Sequence, residues 1–255
     1  MAATKNPIAL VTGGSRGLGR SIALKLAERG SDIILTYRSN EAQAREAVRG
    51  VEALGRRAVA LQLDVADSRS FADFAARVHG VLEGTWRRGR FDHLVNNAGT
   101  GLHATIADTT EAQFDELYAV HLKGTFFLTQ KLLPLIEDGG RILNTSSGLA
   151  RFTFPGASAY AAMKGGIEVL TRYMAKELGP RGIAVNTVAP GAVETDFNGG
   201  AVRDNPQVNA QVAGATALGR VGMPDDVGGA VAALLAEGSG WITGQRIEVS
   251  GGMML

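Results

Sequence analysis

Apolar runs with the length of buried strands recur along the chain: IALVT (8–12), DIILTY (32–37), AVALQL (58–63), HLVNN (93–97), RILNTS (141–146), IAVNTVA (183–189) and RIEV (246–249). Between them the apolar positions shift to helical spacing, in LGRSIALKLAERG, EAQAREAVRGVEAL, SFADFAARVHGVL, FDELYAVHLKGTFFLTQKLLPLI, AYAAMKGGIEVLTRYMAKELG and PDDVGGAVAALLA. Strand and helix alternate throughout. Strands apolar on both faces, separated by helices, predict an α/β, doubly wound fold: seven parallel strands covered on each side, with a ligand crevice at their carboxyl ends. The rhythm breaks at 192–221, a Gly-, Asn- and Ala-rich span too long for an ordinary loop and expected to be a substrate flap over that crevice.

Composition narrows the class. The chain has 255 residues, and nothing in its composition marks a linker, so 1–255 reads as a single domain. At 45% hydrophobic and 20% charged it can bury a sizeable core. Net charge is +1 and no run of basic residues tracks a phosphate backbone, so no nucleic-acid partner is expected. There is no cysteine, which excludes disulfides, thiolate catalysis and Cys-ligated zinc; the four histidines are too scattered for a local metal motif. The opening MAATKNPIALVTGG reaches glycines before a signal-length apolar stretch is complete, and no window approaches the roughly 18 apolar residues of a spanning helix. The expectation is a cytoplasmic protein with no membrane partner.

Candidate chemistry begins at TGGSRGLG (12–19), a glycine turn between the first strand and the first helix. There a bare backbone can approach a pyrophosphate, and the unpaired N–H groups of the helix start can bind its oxygens. The glycines fall at 13, 14, 17 and 19, so the literal GxGxxG fingerprint is not met; a turn that only packs strand on helix is the plain alternative. The same residues satisfy GxSxG, the hydrolase nucleophile elbow, at Ser15. Only one strand precedes Ser15, which leaves no earlier loop to supply the second oxyanion donor. After the second strand, where an acid would read the adenosine 2′-hydroxyl, stand Tyr37, Arg38 and Ser39. Arg38 with Arg16 suits a 2′-phosphate, so NADP(H) is preferred, with NAD(H) use possible through Glu41 or the backbone.

Downstream come NNAG (96–99), Ser147, YAAMK (160–164), the Pro190–Gly191 pair and TGQ (243–245). In this order and spacing the chain resembles the short-chain dehydrogenase/reductase family over almost its whole length, a Rossmann-fold family. GRVGMPDDV and WITGQRIEVSGG are most similar to its 3-oxoacyl-carrier-protein reductase branch, whose members are mostly homotetramers. The resemblance implies that Thr12 supports the turn and that Gly13, Ser15, Arg16, Gly17, Leu18 and Gly19 line the pyrophosphate. It places Arg38 and Ser39 at the ribose, Asp64 and Val65 at the adenine, and the turn of Asn96, Asn97, Ala98 and Gly99 beside the cofactor. It puts Pro190, Gly191 and Val193 at the nicotinamide, with Thr195 at its carboxamide or at the phosphate. Ser147, thirteen positions before Tyr160, would donate to the substrate oxygen, with Tyr160 as general acid/base and Lys164 beside it.

Elementary electrostatics points the same way. Residues four apart share a helix face, so Tyr160 and Lys164 can both enter the crevice. An ammonium about 4 Å from a phenol, at an effective dielectric near 20, would lower its pKa by ~3. One position departs from the family: where many members carry an asparagine that helps hold a proton-relaying water, this chain has His121. His121 either orients that water through a ring that titrates between pH 5 and 8, or is a core histidine.

The expected partner is a small-molecule carbonyl or alcohol substrate. Glu137 and Asp138 in IEDGGRI would repel an acidic carrier protein, which favours a free compound over a carrier-bound acyl chain. Leu102, Phe152, Phe154 and Phe197 either line an apolar pocket or pack as ordinary loop residues. A 3-oxoacyl-carrier-protein reductase and a catalytically idle NADP-binding protein are the alternatives.

Overall fold

The first strand shows how the sheet divides the core. In the computed structural model, which describes residues 6–255, β1 (Ile8–Val11) is buried along its whole length. Its side chains alternate: Ile8 and Leu10 join one apolar cluster, Ala9 and Val11 another. The other strands are β2 (Asp32–Tyr37), β3 (Ala58–Gln62), β4 (Phe91–Asn96), β5 (Ile136–Thr145), β6 (Ala184–Pro190) and β7 (Arg246–Val249). All seven pair in parallel, in the order β3-β2-β1-β4-β5-β6-β7, as the alternation of apolar runs requires.

Helices cover both faces. α1 (Gly17–Glu28), α2 (Glu41–Ala53) and α9 (Pro224–Leu234) pack on the side of Ala9 and Val11, through Ile22, Leu26, Ala47, Val51 and Val231. α3 (Phe71–Val81), α5 (Gly124–Leu132) and α6 (Ser158–Leu178) pack on the other, through Phe71, Phe74, Leu128, Leu132 and Met174. Each such buried Leu, Phe or Val contributes roughly 1.5–3 kcal/mol of transfer free energy.

Three elements differ from the sequence reading. The long helix read from 114 to 136 is instead α4 (Glu111–Leu117), a widened turn at Tyr118–Lys123 of i→i+5 type, and α5, which stops at Leu132. Pro134 has no N–H to continue α5, so a tight turn over Leu133–Leu135 follows and β5 begins at Ile136, not at Arg141. The helix ending in Val81 runs on through another widened turn to Trp86, whose indole donates to the fully buried Asp32 at 2.8 Å. The span 192–221 holds a short turn at Phe197–Gly200, α7 (Ala201–Asp204) and α8 (Pro206–Gly214). Among the described residues no helix is long and apolar enough to cross a membrane.

Strand order reverses between β1 and β4, so the chain leaving their carboxyl ends departs in opposite directions and opens a crevice there.

Candidate active site

Close backbone packing shapes the wall of the crevice at the end of β1. Gly13 has φ +65, and a Cβ on it would lie 3.0 Å from the Ala98 Cα in the turn after β4. Thr12 ties the two turns together. Its hydroxyl accepts from the backbone N–H groups of Asn97 (2.9 Å) and Ala98 (3.0 Å), while the Asn97 amide donates to the Thr12 carbonyl at 2.9 Å. Arg16, the residue before α1, is extended and provides no side-chain cap, and no acidic residue stands in the first helical turn. The N-terminal N–H groups and the positive end of the helix dipole are thus left to an anion, which fits a diphosphate cradled by residues 13–19. Thr195, beyond the end of β6, faces this turn: a Cβ on Gly17 would stand 3.7 Å from it.

The other expected cofactor residues follow the carboxyl ends of their strands. Arg38 and Ser39 are exposed after β2, while Glu41 is engaged by Arg45 at 2.7 Å. Arg16 is exposed and makes only a loose ion pair with Asp196, 3.9 Å away. Asp64 accepts from the Ala66 N–H at 2.9 Å, and the Val65 carbonyl packs against Gly124. At the end of β6 Pro190 is buried, the Gly191 N–H donates to Val249 O at 3.0 Å, and Val193 bridges to Gly222. Asn96, by contrast, points into the core, where its amide donates to Thr129 (3.0 Å) and Asn144 (2.8 Å).

Ser147, Tyr160 and Lys164 converge beyond the end of β5. Lys164 is 4% exposed; its ammonium donates to the Thr145 carbonyl at 2.7 Å and lies 5.5 Å from the Tyr160 ring centre. The Ser147 hydroxyl accepts from the Leu149 N–H at 3.2 Å and also reaches the Tyr160 phenol. Here the electrostatic expectation is corrected. Burial pushes the phenol above its ordinary pKa, the Ser147 hydrogen bond acting in the opposite sense, and burial brings Lys164 down to about 7. Desolvation of the phenolate outweighs the pull of an ammonium that is itself only partly charged near neutral pH.

His121 sits on the widened turn, 2% exposed, with its ring edge-on to Tyr160 at 5.2 Å. Its Nε2 is 2.7 Å from the Thr100 carbonyl oxygen, which can only accept, so Nε2 carries the ring proton. Burial, reinforced by the Lys164 charge, lowers its pKa to about 3. The expectation of a ring titrating between pH 5 and 8 is therefore not met: His121 is neutral there because the imidazolium would be stripped of water beside a cation.

Of the four apolar loop residues, Leu102 packs in the same cluster as Tyr160, and the Phe197 ring lies 6.0 Å from the Tyr160 ring. Phe152 lies against Gly148, next to Ser147, whereas Phe154 pairs with His103 at 6.4 Å. Three residues behind the site escape a motif reading. Ser146 donates to Glu168 at 2.7 Å, and Arg246 donates to Glu168 at 2.6 Å and to the Ser147 carbonyl at 3.4 Å. Arg246 lies 78 positions from Glu168, so spacing along the chain carries no signal for that contact.

Known proteins resemble this chain over nearly its whole length. A family model described as enoyl-(acyl carrier protein) reductase matches residues 13–254. The 3-oxoacyl-[acyl-carrier-protein] reductase FabG of Staphylococcus aureus is 37% identical, over 97% of this chain and 98% of its own. Among solved structures, the promiscuous reductase LugOII, which catalyses a keto-reduction in lugdunomycin biosynthesis, superposes with TM-score 0.93 at 40% identity, covering 99% of both chains. The angucycline ketoreductase LanV with bound NADP superposes with TM-score 0.92 at 34% identity, covering 97% of this chain and 95% of its own.

Proposed function

Because the chain belongs to the short-chain dehydrogenase/reductase family and resembles its FabG-like branch, we propose that it is an NADP(H)-dependent oxidoreductase that interconverts a carbonyl compound and a secondary alcohol. The observation that carries the reading is the meeting of Ser147, Tyr160 and Lys164 at the end of β5. The bound nicotinamide supplies or accepts the hydride; the chain manages the proton. In reduction Ser147 donates a hydrogen bond to the substrate oxygen, and Tyr160, which holds its proton firmly, delivers it as the oxygen gains charge. Lys164, anchored on the Thr145 carbonyl, stands ready to restore that proton.

Cofactor choice follows from the end of β2. Arg16 and Arg38 are exposed and present guanidinium donors to a 2′-phosphate, while Glu41, the alternative reader of a ribose hydroxyl, is held by Arg45. NADP(H) is thus preferred, and the LanV structure with bound NADP supports the same choice.

The charge argument against a carrier-bound substrate weakens on the folded chain, because Glu137 pairs with Arg88 (3.1 Å) and Asp138 with Arg181 (2.7 Å). A free carbonyl compound is favoured instead by the apolar rings beside Tyr160. A cytoplasmic homotetramer belongs to the same reading. Phe126, Phe127, Val169, Tyr173 and Trp241 are exposed apolar side chains of the kind that self-association covers.

The test is NADPH oxidation followed against ketones, aldehydes, diketones, sugars and acyl thioesters, with NADH alongside. Free ketones should be reduced, faster with NADPH, and Tyr160→Phe should lower kcat by ~10²–10⁴. A Tyr160→Phe enzyme that retained its rate would refute the proton role, and thioesters turned over far better than any ketone would return the carrier-protein reading.

A further inference from the structure

Four consecutive residues, 195–198, meet three parts of the crevice wall. Thr195 faces Gly17 of the glycine turn, and Asp196 pairs with Arg16 of the same turn. Phe197 lies beside Tyr160, with ring centres 6.0 Å apart and planes 56° to each other. Asn198 fills the place of a side chain on Gly101 in the loop after β4: a Cβ there would stand on the Asn198 carboxamide. Residues 195–198 therefore cross the crevice as a strap, from the diphosphate turn to the substrate loop.

The strap is held in an unusual backbone state. Asn198, Gly199 and Gly200 are consecutive left-handed residues, with φ of 51, 69 and 79. Asparagine and glycine are the residues that adopt this conformation at least cost, so the sequence FNGG turns the chain sharply once the strap has crossed. Asp196 is held from the far side by an ion pair to Arg203, which also binds Asp204.

The side chains that meet over Tyr160 are apolar or neutral. Phe197 is 43% exposed, an unfilled aromatic face beside the catalytic phenol, with Leu102 in the same cluster and Phe152 near Ser147. Two exposed arginines, one on the far side of the strap and one beside Phe152, are already paired: Arg203 with Asp196 and Asp204, and Arg151 with Glu248 at 2.8 Å. No free cation stands there among these residues to receive a carboxylate or phosphate on the substrate. Half-exposed rings beside a reacting centre gain most from a flat π-face, because offset or tilted ring pairs add roughly two- to tenfold in affinity beyond the apolar area they bury.

We propose that Phe197, set by the seat of Asn198 on Gly101, is the specificity-determining residue of this reductase and selects uncharged ketones borne on or fused to an aromatic ring. The inference rests on the reductase reading and names its substrate class. The carbonyl carbon takes the hydride, its oxygen takes the Tyr160 proton, and the aromatic ring stays outside the bond changes, stacked against Phe197.

The experiment compares NADPH-dependent reduction of 1-tetralone, 2-octanone and 4-oxopentanoate by the wild-type chain and by Phe197→Leu, Phe197→Ala and Gly101→Ala. Wild type should show the highest kcat/KM on tetralone and the lowest on the carboxylate. Phe197→Leu, which keeps an apolar wall but loses the π-face, should raise KM for tetralone about tenfold while 2-octanone changes less than threefold. Gly101→Ala, which unseats Asn198 without touching the ring, should shift the tetralone/octanone ratio in the same direction. Equal losses on both ketones in Phe197→Leu, or a wild-type preference for 2-octanone or the carboxylate, would overturn the assignment. Failure of the wild-type chain to oxidise NADPH with any ketone would instead overturn the reductase reading itself.

Discussion

Two titratable side chains, an ammonium and a phenol, decide how protons move in the site. Lys164 carries its charge only below about pH 7, and the Tyr160 phenol keeps its proton well into the alkaline range. Ketone reduction needs a proton donor and alcohol oxidation an acceptor, so the two directions should respond oppositely to pH. Initial rates between pH 6 and 9.5 should show reduction declining above about pH 7 as Lys164 loses its charge, and oxidation rising. Parallel profiles for both directions would contradict that assignment. His121 contributes differently, because its ring stays neutral across this range and its Nδ1 is buried without a partner among the described residues. His121→Asn should therefore leave the shape of the pH–rate profile between pH 5 and 8 unchanged. The ring also explains Gly99, where a Cβ would approach the His121 Cε1 to 2.9 Å. Gly99→Ala should lower the melting temperature, and adding His121→Asn should recover much of the loss; additive losses in the double variant would show that the ring is not the obstacle.

At the scale of elements, α6 carries both Tyr160 and Lys164, and its attachment sets their geometry. Glu168, one turn beyond Lys164, receives the buried Ser146 hydroxyl and the Arg246 guanidinium, which joins α6 to the end of β5 and to β7. Glu168→Ala would leave the Ser146 hydroxyl only the longer bond to the Lys164 carbonyl, at 3.2 Å, and remove one carboxylate from Arg246, which keeps Glu248 at 2.8 Å. The expected loss is about 1–3 kcal/mol, or roughly 2–12 °C in melting temperature for a domain of this size. A fall in kcat should accompany it, because the same contacts hold Ser147 and Tyr160 in register. Calorimetry and kinetics on one preparation check both; an unchanged melting temperature would mean that solvent replaces the pair at no cost.

The whole molecule should weaken in acid. His93 and His121 are buried with pKa values lowered from 6.5 to about 4 and about 3, in each case chiefly by desolvation. Between those values and 6.5 the unfolded chain binds protons that the native chain refuses. Their stabilising contribution is thus complete above about pH 6.5 and is lost as pH falls, by up to about 1.4 kcal/mol per pH unit for each ring. Denaturant melts at pH 7.5 and pH 5 should differ by roughly 2 kcal/mol per ring, with His121→Asn reducing the difference; identical midpoints would show that these rings are not the acid trigger.

The sequence by itself determined the parallel sheet, because IALVT, DIILTY and the other runs can only be buried on both faces. It also determined the glycine turn and the shared helix face of Tyr160 and Lys164, because backbone approach and helical spacing are local properties; Ser147 was legible only through the family resemblance. Only the folded chain decided the break around His121, the Glu168–Arg246 contact, the strap at 195–198 and the protonation of Lys164 and His121. Those depend on which distant segments exclude water from a group, and desolvation is set by every neighbour in space, most of them far away along the chain.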